Sequence, residues 1–444
     1  MPVTGVHAVV LGGGMSGLMA AHVLADHFER VTVVERDGDE ATGHRRGVPQ
    51  GWHPHALVLR ATDLLEELLP GMNEQYVRDG GVPAEMMGQH RLFYFGHMLR
   101  QSDAGLNTVW ASRPFLERGI RERLGGRGHV TLRQGWEAVG PLAPTPERIT
   151  GVVVGRPGGG GTENLTADLV VDATGRTGRN RAWLRELGYP LPREERVKVN
   201  LAYATRILRC DADVFASDRA IAVGPRLDRA RGLYFTVREE GQWTLTVYGY
   251  GDFRPSDDTA VFMEQVRELA PDDVWAAIQA AEPLTDVHVF HVPETYRRRY
   301  DKLSRFPSGL LVTGDALAAL NPLYGTGMMY SAAYALILGR RLREGLDGLH
   351  RGFFKDAARA VAGSWRFSSL SDSFLPGVPD SGLPGARVAL WYLRRLVAAA
   401  EHDPVLAADF IRVAGALRSP VALARPEMLL RTLGSRGAAR ARRG

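Results

Sequence analysis

The stretch from Val6 to Asp37 constrains the fold of this chain more than any other. A short apolar run from Ala8 to Leu11 has the length of a buried parallel strand, and the apolar pattern that follows through His27 is helical. The residues between them, GGGMSG, supply the pattern GxGxxG, and a second apolar run follows at Val31 to Val34. This order predicts a strand, a tight turn, a helix and a second strand, which is the start of a dinucleotide-binding α/β fold.

Each residue type in this motif has a physical task. Gly12 permits the turn, Gly14 lets the backbone approach a pyrophosphate, and Gly17 lets helix and strand pack closely. The helix N-terminus stabilises the phosphate charge, and Glu35, about 20 residues beyond the glycines, is placed to accept hydrogen bonds from a ribose. The motif by itself does not separate NAD from FAD. The predicted cofactor-binding residues of this stretch are Gly12, Gly14, Met15, Ser16, Gly17, Glu35 and Arg36.

Composition indicates a globular enzyme-sized protein. A chain of 444 residues with 45% apolar content can bury a core large enough for about two or three domains. The formal net charge of +5 is small and spread along the chain, which gives little support to nucleic-acid binding, and the basic segment 436–443 is expected to be a solvated tail. The single cysteine, Cys210, rules out an internal disulfide and fits a reducing, cytoplasmic location. No uninterrupted apolar stretch reaches the roughly 18 residues of a membrane-spanning helix.

A polar segment leads to RRGVPQGWHPH, residues 45–55, and then to a helix that is predicted to end near Leu69. Arg45 and Arg46 follow the nucleotide motif, where a phosphate contact and a solvated surface are both compatible with the sequence. His53 and His55 are two residues apart, so on a helix they would not share a face, and we do not expect them to bind a metal.

A second helix start and a second glycine-bearing turn follow. Ser112 is placed to cap a helix that runs to about Leu124, and Arg113 lies at its positive end, where an outside anion or plain solvent exposure would explain a cation. Residues 129–171 alternate short β-rich runs with turns, which predicts a meander that returns to the main sheet and ends in DATG at Gly175. Glycines at the carboxyl end of such a strand mark a ligand crevice.

Residues 195–250 change to long alternating strands that fold back at Glu240-Gly241, and residues 90–100 also predict a strand. Alternation implies one covered and one open face. Helical runs from about Thr259 to Ala281 and a strand at Val287 to Val292 close this insertion. The frequent aromatic residues fit a packed core, or an apolar substrate cavity. The candidate substrate-binding residues are Tyr203, Tyr234, Trp243 and Tyr248.

The chain then returns to an apolar strand at Gly309 to Thr313, followed by Gly314-Asp315, a proline-bearing loop and a long helix from near Gly327 to about Leu342. Backbone N–H groups of such a crevice would face a ligand and would stabilise the negative charge of a reduced isoalloxazine ring. Residues 376–385 are expected to be a linker before amphipathic helices. The candidate residues of this crevice are Asp315, Pro322, Gly325, Gly327 and Met328.

Three separated stretches together resemble one family. GGGMSG with Glu35, the DATG sequence and GDALAALNPLYGTGM resemble the FAD-dependent monooxygenases of the p-hydroxybenzoate hydroxylase fold. RRGVPQGWHPH, SRPFLE and DATGR resemble still more the flavin epoxidases of polyether and polyketide antibiotic biosynthesis. The resemblance implies an α/β fold: a Rossmann-like FAD-binding domain with an inserted, mainly antiparallel substrate sheet and C-terminal helices. The expected division is 1–190 (FAD domain, with substrate-domain excursions near 75–105), 191–300 (substrate sheet), 301–345 (return to the FAD domain) and 346–444 (helices).

The resemblance also implies roles for individual residues. Arg45 and Val48 match the segment that runs along the ribityl chain and flavin, and Arg113 matches a position at the phosphate or ribityl chain. Asp315 would bind ribityl hydroxyls or the pyrophosphate through water, while the loop from Pro322 to Met328 would approach the isoalloxazine ring. The FAD is expected to be non-covalent. No catalytic side chain is assigned, because the reduced flavin would take up O2 as a C4a-hydroperoxide that performs epoxidation or hydroxylation of an apolar substrate.

Two departures from the family pattern bear on function. Thr174 stands where aromatic hydroxylases usually carry an aspartate that is linked to the contacts with both FAD and NADPH. NADPH and a partner flavin reductase therefore remain alternative electron sources. Leu317 and the two alanines after it replace a histidine that often follows the Gly-Asp pair. A cyclase that retains FAD without net redox change is the main alternative. A halogenase is disfavoured, because no lysine precedes Lys198 and GWxWxIP is absent. Monomer and homodimer are both compatible with the sequence.

Overall fold

The computed structural model describes residues 4–38, 45, 48–57, 59–211, 214–380, 382 and 384–434. Arg46 and the segment 436–443 lie outside the described residues. The strands are β1 (Gly5–Leu11), β2 (Phe28–Glu35), β3 (Ala56–Leu57), β4 (Val82–Glu85), β5 (His90–Tyr94), β6 (His97–Met98), β7 (Asn107–Trp110), β8 (Val130–Gln134), β9 (Glu137–Leu142), β10 (Gly151–Gly155), β11 (Thr162–Thr166), β12 (Leu169–Asp172), β13 (Glu194–Arg209), β14 (Ala220–Val223), β15 (Arg231–Val237), β16 (Gln242–Gly249), β17 (Glu282–Pro283), β18 (His288–Arg298), β19 (Leu310–Val312) and β20 (Ala318–Ala319). The helices are α1 (Met15–Leu24), α2 (Arg60–Leu68), α3 (Met72–Arg78), α4 (Arg113–Gly125), α5 (Asn180–Glu186), α6 (Thr259–Arg267), α7 (Asp272–Ala280), α8 (Thr326–Leu342), α9 (Leu349–Asp372), α10 (Ala386–Ala400), α11 (Pro404–Ala414) and α12 (Pro426–Gly434).

A parallel sheet of five strands in the order β19-β12-β1-β2-β8 forms the centre of the fold. Its central strand β1 is apolar and fully buried at Val9 and Val10, as expected for a strand covered on both faces. The predicted strand, glycine turn, helix and second strand are confirmed, with β2 beginning at Phe28, three residues earlier than expected. The α/β fold class is confirmed as well.

A second, mixed sheet of nine strands runs in the order β20-β18-β13-β16-β15-β14-β5-β6, with β17 paired to β13. The hairpin of β15 and β16 is confirmed at Glu239–Gly241. The predicted single strand over residues 90–100 is a hairpin of β5 and β6 instead, because Phe95 and Gly96 adopt positive φ angles of 49° and 88°. This hairpin extends the sheet through a parallel pairing of β5 with β14.

One helical prediction needs correction. The run from Thr259 to Ala281 is two helices, because Pro271 has no backbone N–H to continue a helix and instead serves as the N-cap of α7. The predicted helix ending near Leu69 is confirmed as α2, which begins at Arg60 after a turn at residues 49–52 and the short strand β3. The predicted strand ending at Val292 continues as β18 to Arg298.

The C-terminal helices α10, α11 and α12 pack on the β5–β6 end of the mixed sheet. Leu396, Val397 and Leu406 are fully buried there against Leu92 and Leu99. Helix α9 packs along α8, where Phe353 and Ala357 are fully buried. In the described part of the chain, no helix combines the length and the apolar character needed to cross a bilayer.

Candidate functional site

The carboxyl ends of the parallel strands open into a cavity of about 1110 Å³ that continues to one face of the mixed sheet. Every residue predicted to bind the cofactor lines this cavity except Gly17. The lining candidates are Gly12, Gly14, Met15, Ser16, Glu35, Arg36, Arg45, Val48, Arg113, Gly175, Asp315, Pro322, Gly325, Gly327 and Met328.

Gly17 shapes the glycine loop from behind rather than lining the cavity. A Cβ atom at Gly17 would lie 1.8 Å from the carbonyl oxygen of Gly12, and Gly12 itself has a φ angle of +100°. A Cβ atom at Gly14 would meet nothing closer than 3.6 Å, where Nη2 of Arg113 lies. Gly12 and Gly17 therefore close the turn tightly, while a Cβ at Gly14 would only touch the side chains of Arg113, Glu117 and Arg45 at ordinary van der Waals distance.

Helices α1 and α8 both begin at this cavity without a capping side chain. Their N-cap residues are Gly14 and Gly325. The hydroxyls of Ser16 and Ser331 lie 2.7 Å apart and hydrogen-bond the two helices together. Because first-turn N–H groups lack intrahelical partners and the helix dipole is positive there, the two N-termini form adjacent sites for anionic groups.

Glu35 lies at the end of β2 with its carboxylate at the glycine loop. Oε2 accepts hydrogen bonds from the backbone N–H of Gly13 at 2.6 Å and from Nη1 of Arg45 at 3.1 Å. Oε1 accepts from the backbone N–H of Asp37 at 3.0 Å. A carboxylate has about four acceptor positions, so Glu35 retains acceptor capacity for a ribose hydroxyl while it fixes the loop.

Glu35→Ala is expected to weaken FAD binding by about 1.5 to 3 kcal/mol, because a charge-assisted hydrogen bond to the ribose is lost. Fluorescence titration of apo-protein with FAD measures the effect. Glu29→Ala provides a matched control, since Glu29 is an exposed residue on the same strand. Unchanged affinity in the Glu35 variant would place the ribose elsewhere.

A buried carboxylate, Glu117 of α4, organises three arginines beside Gly14. Its oxygens accept from Arg45 and from Nε of Arg113 at 2.9 Å, and Nη2 of Arg121 lies 3.5 Å away. Burial of Glu117 opposes its ionisation, but Arg113, Arg45 and Arg121 outweigh that effect and hold its pKa below the usual value. Sequence reasoning missed Glu117, although Arg113 and Arg121 stand four residues before and after it.

Ser112 caps α4 as predicted, by accepting a hydrogen bond from the backbone N–H of Phe115 at 3.3 Å. Arg113 follows it at the first helical position. From the sequence, an outside anion and plain solvent exposure were the two alternatives for Arg113. The structure shows an internal partner, Glu117, while Arg113 also lines the cavity.

The loop after β12 is fixed by a fully buried aspartate. Asp172 accepts from the backbone N–H of Thr174 at 2.9 Å, from the hydroxyl of Thr174 at 2.5 Å, and from Nδ2 of Asn180 at 2.6 Å. Gly175 follows with a φ angle of +74° and open space at its Cβ position. The hydroxyl of Thr174 is therefore directed to Asp172, and the loop presents backbone rather than a second carboxylate to the cavity.

Asp315 lies on the turn after β19 and lines the cavity. Within the described residues, its carboxylate makes no hydrogen bond or ion pair, so it is available to a ligand hydroxyl. Its backbone oxygen accepts from the hydroxyl of Tyr296 at 3.0 Å. Further along, a Cβ atom at Gly327 would meet nothing within 4 Å, which leaves the N-terminus of α8 open.

The four candidate aromatic residues separate into two groups. Tyr203 and Tyr234 line the cavity. Trp243 does not, contrary to prediction, because it points to the opposite face of the sheet and packs against Phe235 under α6 and α7. Tyr248 lies on the cavity side but behind Tyr234, on which its ring stacks at 5.1 Å, and does not line the cavity either.

His53 and His55 line the cavity, a position that sequence reasoning did not give them. Nδ1 of His53 lies 2.6 Å from the hydroxyl of Thr205, which lies 2.7 Å from the hydroxyl of Thr246. Burial lowers the pKa of His55 to about 4, so its ring is neutral at pH 7. The polar chain from His53 to Thr246 stands on an otherwise largely apolar sheet face. Among the described residues, no cluster of histidine, cysteine and acidic side chains suits a metal ion.

These observations fit an FAD. The glycine loop at Gly14, the adjacent helix start and the arginines around Glu117 suit a pyrophosphate. The carboxylates of Glu35 and Asp315 suit ribose and ribityl hydroxyls, and the uncapped start of α8 suits the electron-rich edge of a flavin ring. Tyr203 and Tyr234 line the same cavity as these groups.

Comparison with known proteins agrees with this assignment. A protein-family profile described as "FAD binding domain" matches residues 5–352, which include both sheets and α8. Protein Rv3254 of Mycobacterium tuberculosis is 32% identical over 430 residues, covering 91% of this chain and 88% of that protein.

Solved structures show the same fold at low sequence identity. The flavin-dependent brominase Bmp2 superposes with a TM-score of 0.67 at 13% identity, covering 93% of this chain and 94% of that one. The p-nitrophenol 4-monooxygenase PnpA from Pseudomonas putida DLL-E4 gives a TM-score of 0.65 at 16% identity, covering 95% and 100%. At these identities the likeness concerns the fold.

Proposed function

The chain belongs to the FAD binding domain family of flavin-dependent oxidoreductases, and from this premise we propose that it is a monooxygenase, an epoxidase or hydroxylase of an apolar, polyketide-like natural product. One observation carries the proposal. A single cavity joins the dinucleotide cleft at Gly14 to a chamber beside Tyr203 and Tyr234, so a substrate can lie at the flavin edge. Reacting atoms must come within about 3.5 Å of each other, which such continuity permits.

When bound, FAD supplies the redox chemistry, activating O2 and transferring one oxygen atom to the substrate. The protein's contribution is placement and electrostatics. The uncapped N-terminus of α8 would stabilise negative charge on the ring, and the turn from Pro322 to Gly325 would present its backbone to it. Glu117 and its arginines would hold the pyrophosphate.

The substrate chamber excludes water and orients its occupant. Tyr203, Phe290 and Val292 supply apolar wall, which favours an apolar substrate and limits hydrolysis of reactive species. The chain from His53 through Thr205 to Thr246 supplies hydrogen-bonding groups on the same wall. It would orient a hydroxyl or carbonyl group of the substrate.

We also propose that a separate flavin reductase delivers the electrons. Thr174 stands where aromatic hydroxylases usually carry an aspartate that is linked to the contacts with both FAD and NADPH. Its hydroxyl donates a hydrogen bond to Asp172 instead. Halogenation is disfavoured despite the shared fold with Bmp2, since no lysine lines the described part of the cavity. A non-redox cyclase would use the same FAD contacts and is the alternative that the experiment must separate.

Purified holo-protein should convert an apolar alkene or phenol from a polyketide panel only when O2 and reduced flavin are both present, and product from ¹⁸O₂ should gain one labelled atom. Electrons are supplied by NADPH alone or by NADPH with a free flavin reductase. Conversion of the substrate is expected to be faster when the reductase is present. Mass spectrometry of products from aerobic and anaerobic reactions measures the result. An anaerobic product of the same mass as the substrate would establish a cyclase and overturn the monooxygenase proposal.

A further inference from the structure

Asp372, the last residue of α9, carries a carboxylate that is buried against the loop of residues 321–325, which precedes α8. It is 1% exposed. Its Oδ1 accepts hydrogen bonds from Nδ2 of Asn321 at 3.0 Å, from the hydroxyl of Tyr324 at 3.0 Å and from the hydroxyl of Tyr250 at 3.2 Å. Oδ2 also accepts from Nδ2 of Asn321 at 3.0 Å. Among the described residues, no cation pairs with it.

The donors belong to the loop before α8 and to the end of the mixed sheet. Asn321 begins the turn at residues 322–324, and its Oδ1 accepts from the backbone N–H of Leu323 at 3.0 Å. Tyr324 lines the cavity. Tyr250 follows β16 of the mixed sheet. Through these bonds, Asp372 ties the loop that precedes α8 to the substrate sheet and to α9.

An ionised carboxylate at this position is expected to lower the stability of the fold. A carboxylate at a helix C-terminus faces the negative end of the dipole, and burial without a cation disfavours its charge. Burial raises the pKa of Asp372 to about 6 from the usual 3.8, although Asn321, Tyr324 and Tyr250 oppose the rise. The folded pKa exceeds the unfolded one, so this group's contribution to stability is full below about 3.8 and is lost as pH rises through about 6. At neutral pH the ionised carboxylate therefore weakens the fold.

We propose that Asp372 is a positioning residue that holds the loop of residues 321–325 in the shape that fits the flavin ring. This inference rests on the proposed flavin function. Asn321 and both tyrosines all donate to Oδ1, and Asn321 also reaches Oδ2, so the set exceeds the two acceptor positions of one neutral carbonyl oxygen and suits the ionised carboxylate best. A loop of residues 321–325 held in one conformation would then explain why the fold keeps a carboxylate that lowers its stability at neutral pH.

The cluster holds few other groups that titrate. Tyr250 and Tyr324 face Asp372, and burial raises their pKa values well above the usual one, so both stay protonated near pH 7. Tyr234 interacts electrostatically with Tyr250, and Tyr94 with Tyr324, and burial raises the pKa of both Tyr234 and Tyr94. Asp372 is thus the group of this cluster that changes charge between pH 5 and 7.

The test compares holo wild type with Asp372→Asn and with Asp356→Asn, an acidic residue on the same helix that pairs with Arg341 at the surface. The FAD dissociation constant and the visible absorption spectrum of the flavin are measured from pH 5 to 8. Wild type should bind FAD about tenfold more tightly above pH 6 than below, since loss of the proton restores the acceptors. Asp372→Asn should bind weakly at every pH, with a shifted flavin spectrum, because its amide NH₂ opposes that of Asn321. Asp356→Asn should match wild type.

Thermal unfolding of the apo-proteins separates positioning from a structural role. Asp372→Asn should unfold at the same or a higher temperature than wild type at pH 8, because a buried charge is removed. Tyr324→Phe, which keeps the carboxylate, should move the pH midpoint of FAD binding upward, since a donor to the charged form is lost. If Asp372→Asn lowers the unfolding temperature and leaves the flavin spectrum and pH profile unchanged, the positioning role is overturned. These readouts need no turnover, so failure of the oxygen-labelling experiment is distinguishable from failure here.

Discussion

Gly17→Ala should give a folded protein that loses its FAD during purification. The added Cβ would lie 1.8 Å from the carbonyl oxygen of Gly12, which is backbone and cannot rotate away. The turn that presents Gly14 to the pyrophosphate must therefore shift. Strain of this kind costs about 3 kcal/mol, roughly a hundredfold in the FAD dissociation constant.

The ratio of flavin to protein absorbance after gel filtration, followed by titration of apo-protein with FAD, measures this effect. Gly363→Ala is the matched control, because Gly363 lies within α9 and a Cβ there meets nothing within 4 Å. That variant should keep its FAD and gain about 0.5 to 1 kcal/mol of stability from higher helix propensity. Stoichiometric FAD in Gly17→Ala would show that the loop tolerates the displacement and that Gly17 is not needed for close packing.

The cofactor half of the cavity was predictable because each of its signals is local. The glycine loop and Glu35 lie within one strand–helix–strand unit, and the start of α8 follows β19 after two turns and the short strand β20. In parallel α/β sheets the strand ends meet at one edge, so residues after β1, β12 and β19 converge without further information. Order along the chain thus determined position in space.

The half of the cavity beside Tyr203 and Tyr234, where we propose that the substrate binds, was less predictable, because alternation defines two faces but does not show what covers either one. Tyr203 faces the cavity, whereas Trp243 faces α6 and α7, which come later in the chain. The hydrogen bonds of Asp372 reach residues 48, 51 and 122 positions away, and no periodic pattern indicates such contacts. Glu117 was different. Arginines four residues to either side of it, on a helix with a recognisable cap, are a local signal of a buried ion cluster.

Glu117→Gln should lower the stability of the apo-protein by about 3 to 5 kcal/mol, the usual effect of removing one partner from a buried ionic group. Glu117 is 1% exposed, and it is the carboxylate shared by Arg45, Arg113 and Arg121. A neutral amide would leave three guanidinium groups close together with reduced compensation. We propose that the pyrophosphate of FAD binds at the same place, so FAD should stabilise the variant more than it stabilises wild type.

Thermal unfolding of both proteins with and without FAD, at pH 7.5 and at pH 5 and below, measures these effects. The pKa of Glu117 is depressed, so its contribution to stability is present above the usual value of 4.5 and is lost as pH falls through the lower folded value. The difference in stability between wild type and Glu117→Gln should therefore become smaller only in strong acid. Glu122→Gln, an exposed residue of the same helix that lies 3.9 Å from Arg118, should change stability by no more than about 0.5 kcal/mol. Equal stabilisation of wild type and Glu117→Gln by FAD would show that the pyrophosphate does not lie against these arginines.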